Sequence, residues 1–204
     1  MNLLLKIGLG GFALIVTAAL LGPFLAPFAP EHMDITRELL PPGSGAVLGT
    51  GVNGIDVFSW VLHGAAISLT VGLSVVLVSL TIGLVMGATA GYFGGRFDFL
   101  LMRIIDVLLA FPGILLAIYI AAVLPPSLTN VILALSATGW VGYARLVRGQ
   151  VLQVREMEYV QACRAMGMRS PRIILRHILP NIAGPVLVHG SFGLGGAILG
   201  EAAL

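Results

Sequence analysis

An all-α, polytopic integral membrane protein is the fold class that three observations predict. The 204 residues are 58% hydrophobic and 10% charged, with a mean hydropathy of +1.03; soluble globular chains carry about a quarter charged residues. Apolar runs recur along the chain, several of them free of ionisable residues over roughly the 20 positions a helix needs to cross a bilayer. The basic residues, by contrast, crowd into one stretch that holds Arg145, Arg148, Arg155, Arg164, Arg169, Arg172 and Arg176. An arginine at a bilayer centre costs roughly 2.5–3.5 kcal/mol, so this group would cost on the order of 17 kcal/mol and belongs outside the membrane.

The first span follows from Leu3 to Leu25, apolar apart from Lys6. From Ile7 onward the run is about 19 residues, longer than a signal-peptide core, and Pro23, Pro27 and Pro30 follow without a clear small-x-small cleavage site. An uncleaved span with Lys6 inside is therefore expected. Residues 26–64 form a polar interval whose acids, Glu31, Asp34, Glu38 and Asp56, face a single Arg37, which places it on the outer side. Within it Asp56 to His63 reads either as an interfacial amphipathic segment or as a connector.

Ala65 to Ala90 is the second span, with Gly83, Gly87 and Gly91 spaced by four, a smooth face for another helix or for a ligand-facing groove. A turn over Gly91 to Arg96 follows. Beyond it Arg103 and Asp106, three apart, can meet on a helix face. The third span runs from about Val107 to Leu124, with Pro112-Gly113 permitting a kink near its inner end.

After Pro125-Pro126-Ser127 turns the chain, Leu128 to Val147 forms the fourth span, and Ile182 to Leu204 the fifth. The fifth carries His189, a packing histidine or a ligand, and Glu201. An acid in such a run is either functional or an interfacial structural group. With the amino terminus inside, every basic residue except Arg37 is cytoplasmic, consistent with five spans. The expected division is an N-terminal helix over 1–25, an extracytoplasmic loop over 26–64, and a transmembrane domain over 65–204.

The arginine-rich stretch has its own punctuation. Charge alone reads as a solvated basic loop. The residue order adds two short helices and a bend: Glu156 and Glu158 suit a first helical turn, Gly167 suits the left-handed position past the end, and Ser170-Pro171 opens a second helix that Pro180 stops.

Most chemistry is excluded. The sole lysine, Lys6, opens the first span, so no phosphate-cradling loop ending in Lys is present. Cys163 is the single cysteine, and His32, His63, His177 and His189 are scattered, so no metal site is expected. His189 and Ser191 share a run but, two apart on a helix, do not face each other. No catalytic residue, bound cofactor or nucleic-acid partner is expected.

Gln161-Ala162-Cys163 followed by Gly167, then Ile178-Leu179-Pro180, resembles the EAA loop of binding-protein-dependent ABC transporter permeases. Leu48-Gly49-Thr50, Ala90 through Gly95, Asp106 through Pro112, Gly142-Tyr143-Ala144-Arg145 and Arg176 through Asn181 resemble the second permease subunit of the dipeptide, oligopeptide and nickel branch. The resemblance covers the chain from about Leu48 to its end. It implies a type I ABC importer transmembrane domain in the cytoplasmic membrane of a bacterium or archaeon. It further implies a loop over about 148–180 that couples to a cytoplasmic ATPase through Glu158, Gln161, Ala162, Cys163, Gly167, Arg169, Ser170, Pro171, Leu179 and Pro180. Gln161 stands where the family has Glu, and Cys163 where it has Ala.

The implied partners are a homologous permease, two ATPase subunits that carry ATP and Mg, and an extracytoplasmic solute-binding protein. Pro112 and Glu201 are candidates for the translocation path or its gating. Family members continue past Glu201-Ala202-Ala203-Leu204 into a sixth span, which this sequence is expected to lack. Peptide import is the first reading and nickel import by the same mechanism the second; a truncated, non-transporting paralogue and an intramembrane enzyme are the others.

Overall fold

The computed structural model describes residues 3–204, apart from the side chains of residues 4 and 5, so the first two positions of the expected N-terminal segment lie outside the described residues. Its contacts divide into two compact units, Met1–Thr70 and Val71–Leu204.

The first unit holds α1, Leu3–Leu25, and the opening turns of α2, Val57–Phe93. Gly22 lets α1 approach α2 closely, since a side chain there would come within 3.1 Å of Leu62. The interval between the helices is stitched together by side chains. Asp56 caps α2: its carboxylate accepts from the Ser59 amide at 2.8 Å and the Ser59 hydroxyl at 2.7 Å. Ser59 Oγ accepts in turn from the Phe28 amide at 3.2 Å. Thr50 Oγ1 donates to the Arg37 carbonyl and accepts from the Leu40 amide. The DVFSWVLH segment is thus largely the first two turns of α2, neither a separate interfacial helix nor a connector, because Asp56 starts the helix there.

In the second unit α2 continues to Phe93, followed by α3 (Gly95–Leu109), α4 (Gly113–Val123), α5 (Leu128–Val154), α6 (Glu158–Ala165), α7 (Ser170–Ile173), a π-helical stretch (Ile174–Ile178) and α8 (Leu179–Ala202). Helix α5 is the centre: α3, α4 and α8 pack against it. The glycine face of α2 packs there too. A side chain at Gly87 would fall 2.5 Å from the Ala144 carbonyl oxygen, and one at Gly91 2.9 Å from that of Arg148. Of the two readings of Gly83, Gly87 and Gly91, helix packing is the one observed.

Three expectations change. The third span is a break and not a kink: α3 and α4 meet at 83°, because Ala110 ends α3 and Pro112, with a non-helical ψ of 114°, precedes the start of α4. Arg103 and Asp106 do not pair. Asp106 faces α5 and binds Arg145 at 2.6 Å, while Arg103 lies over the Phe99 ring. Pro180 does not stop the second short helix. It sits in the first turn of α8, and the π-helical stretch just before it, closed by the Leu179 amide bonding to the Ile174 carbonyl, lets the helical path from Ser170 to Ala202 run on.

The count of about five spans is loosely supported. Among the described residues three helices are long and apolar enough to cross a membrane, or four if α3 and α4 count as one broken span. Helix α5 falls short because Asn130, Ser136, Thr138 and two arginines interrupt its apolar run, while nine of its 27 residues are buried against neighbouring helices.

Candidate functional site

Helices α6 and α7 form a bent pair whose inner face is buried. Val160 and Cys163 of α6, Ile173 of α7, and Ile174 and Ile178 of the π-helical stretch pack with Ala88 and Tyr92 of α2 and Val147, Val151 and Val154 of α5. The bend is set by Gly167, whose φ of +75° is the left-handed conformation a side chain resists. Around it the Met168 amide bonds to the Cys163 carbonyl at 3.1 Å and the Gly167 amide to the Arg164 carbonyl at 2.9 Å, a Schellman closure that satisfies the helix end. Helix α6 starts at Glu158, with Met157 as an uncapped N-cap; Glu156 lies outside it and pairs with Arg155 at 2.8 Å. Ser170 does not cap α7: it is the first helical residue, and Arg169 precedes it.

The arginines divide by task. Arg155 donates to the Gly91 carbonyl at 2.8 Å, and Arg164 stacks over Tyr92 at 4.7 Å while donating to its hydroxyl at 3.3 Å, so both tie the pair to the end of α2. Arg148 forms a two-pronged pair with Asp98 of α3, and Arg145 reaches Asp106. Arg169, Arg172 and Arg176 are exposed and reach no carboxylate among the described residues.

Of the residues expected to couple, Glu158, Gln161, Ala162, Gly167, Arg169 and Pro171 are each exposed, with Ser170 half-buried. Cys163 is 6% exposed and anchors α6 in the core. Leu179 and Pro180 stand apart at the head of α8. Gln161 donates from Nε2 to the Glu156 carbonyl at 3.0 Å. A carboxylate there could not donate, so Gln at this position has a structural use that Glu lacks.

Sequence reasoning missed a second feature, a cavity of about 330 Å³ bounded by α2, α4, α5 and α8. Ser79, Thr138, Tyr143 and His189 supply its polar groups. Gly113 and Gly200, next to Pro112 and Glu201, line it, although Pro112 and Glu201 do not. Tyr143 and His189 meet edge to face at 4.8 Å, so His189 packs against a ring and also borders the cavity. Ser79 Oγ and Tyr143 Oη are buried, with no hydrogen-bond partner among the described residues. Gly139 and Gly142, facing Ser79 and His189, hint at the space in retrospect, but a glycine in an apolar run signals close packing as readily as a void. Ser191 donates its hydroxyl to the Leu187 carbonyl of its own helix.

Two family descriptions match the chain: binding-protein-dependent transport system inner membrane component over residues 79–204, and the N-terminal transmembrane domain of oligopeptide transport permease C over residues 2–42. A dipeptide transport system permease of Bacillus subtilis (strain 168) is 41% identical over 203 residues, 100% of this chain and 63% of that protein. An oligopeptide transport system permease of the same organism is 37% identical, over 100% of this chain and 67% of that protein. A probable D,D-dipeptide transport system permease of Escherichia coli (strain K12) is 40% identical, over 94% and 64%. The chain thus spans between 63% and 67% of the length of these relatives.

Proposed function

Because the chain belongs to the family of binding-protein-dependent transport system inner membrane components, we propose that it is a multi-pass permease subunit of an ATP-driven peptide importer, with its N-terminus in the cytoplasm. The relatives carry peptide and dipeptide names, so peptides are the substrate class and the nickel reading is set aside. ATP and Mg reside on two cytoplasmic ATPase subunits, the translocation path is shared with a homologous permease, and a solute-binding protein docks on the outer side over residues 26–64. The chain itself performs no chemistry.

One observation carries the reading: the α6–α7 pair is anchored by its buried face and by Arg155 and Arg164, yet offers Glu158, Gln161, Ala162, Arg169 and Pro171 outward. A lever needs both properties. Force applied at the exposed surface reaches α2, α5 and α8 through the core, and the break at Pro112 and the end of α8 near Glu201 are where the path opens.

The test is made in the assembled complex. Arg169→Glu with Arg172→Glu leaves the fold intact and lowers ATPase co-purification and dipeptide uptake together. Gly167→Leu, which forces a side chain into a left-handed conformation at a cost of roughly 1–2 kcal/mol, lowers uptake even where the ATPase is retained. Normal assembly and uptake in both variants would remove the coupling role.

A further inference from the structure

Helix α3 carries a surface that the coupling role leaves unused. Its two acids point to α5 and are occupied there, Asp98 by Arg148 and Asp106 by Arg145. Arg96 and Arg103 are exposed, seven residues and two turns apart, so they share one side of the helix. Neither reaches a carboxylate among the described residues, and Arg103 is steadied over the Phe99 ring at 5.6 Å from its centroid. Beside them runs an exposed apolar stripe of Leu100, Ile104 and Val107, 60%, 45% and 59% accessible. A shallow crevice of about 250 Å³ lies between Arg103 and the side chains of Ile104, Val107 and Leu108. The 83° break turns α3 away from α4, so if α4 runs along the membrane normal, α3 lies along the membrane surface.

We propose that α3 is an interfacial helix whose Arg96 and Arg103 hold the phosphate of an anionic phospholipid, with an acyl chain seated in the crevice of Ile104, Val107 and Leu108. Charge decides the occupant. Two guanidiniums without carboxylates, bordering apolar surface, match a phosphodiester headgroup above its chain, whereas a purely apolar partner would leave both cations facing nothing. The proposal rests on the membrane reading above, which puts the arginine-bearing end of the bundle at the cytoplasmic surface.

The sample for the test is the assembled transporter in mixed micelles of phosphatidylglycerol and phosphatidylcholine with identical acyl chains, and native mass spectrometry counts retained lipid. Phosphatidylglycerol preference is expected to fall roughly fivefold per arginine in Arg96→Gln and Arg103→Gln, the size of one cation near an anionic surface, and to persist in Arg96→Lys with Arg103→Lys. Val107→Trp fills the crevice without touching charge and lowers retention of both lipids at this site. Unchanged preference in the glutamine variants overturns the proposal, as does full displacement by millimolar inorganic phosphate. Loss of a partner subunit with lipid preference intact would make the face a protein interface and likewise overturn it. No ATP or peptide is present, so failure here and failure of the coupling role are read separately.

Discussion

The two halves of α5 are built on opposite terms. Toward its arginine-bearing end every neighbour is fastened: Gly87 and Gly91 bring α2 to backbone contact, Asp98 and Asp106 of α3 pair with Arg148 and Arg145, and Val147, Val151 and Val154 close a core with α6, α7 and the π-helical stretch. Toward the other end, α5 borders a cavity, and Ser79, Ser136 and Tyr143 keep buried hydroxyls without partners among the described residues. A close-packed interior transmits displacement, whereas one with voids and unpaired polar groups can rearrange at little cost. The fastened half is suited to carry a push and the loose half to yield to it.

The largest expected effect comes from breaking the fastened half at its seam. Gly87→Leu drives a side chain into the Ala144 carbonyl and is expected to destabilise by about 3 kcal/mol or more, read as loss of monodisperse protein in size-exclusion chromatography after detergent extraction. Gly196→Ala in the cavity wall meets open space and is expected to be neutral or to stabilise by up to ~1 kcal/mol through helix propensity. Equal damage from both would erase the contrast between the halves.

Next in size are the ion pairs. The Arg148–Asp98 side chains are 28% and 16% exposed, those of Arg145–Asp106 51% and 53%. Asp98→Asn is expected to cost about 1.5–3 kcal/mol, and Asp106→Asn no more than ~1 kcal/mol, both measured by thermal unfolding in detergent. The reverse order would mean that burial does not set the strength of these ties.

Gln161→Glu turns a donor toward a carbonyl into an acceptor and adds charge near Glu156 and Glu158, costing about 0.5–1.5 kcal/mol. Amide exchange at the start of α6 reports it as faster opening; unchanged exchange would show that the bond to Glu156 holds nothing. The smallest effect is expected in the loose half. Ser79→Ala removes a buried hydroxyl with no partner to strand and should be neutral or stabilise by up to ~1 kcal/mol. A loss of more than that in thermal unfolding would mean that Ser79 is fastened after all.

How far the sequence was legible follows the same division. Features written in local residue order were readable: the left-handed Gly167 and the four-residue glycine spacing of α2. Features that depend on remote partners were not. Arg103 and Asp106 have ideal helical spacing, but Asp106 faces Arg145, 39 residues on, and a charged neighbour across the interface outcompetes one on the same helix. Pro180 reads as a helix stop because its missing amide normally ends the ladder; a π-helical turn, invisible in composition, absorbs the defect. The cavity left almost no mark, since Ser79, Thr138 and Tyr143 are ordinary residues in apolar helices.

The rigid lever against the yielding cavity is tested most directly by spin-label distances in the assembled transporter through its ATP cycle, on a Cys163→Ser background. One pair joins Gln161 of α6 to Gln153 of α5, and the other joins Tyr119 of α4 to Phe192 of α8. The Gln161–Gln153 distance is predicted to stay constant on ATP binding while the Tyr119–Phe192 distance shifts. A shift between α6 and α5 with α4 and α8 fixed would contradict the account, because the push would then be lost before it reached the spans.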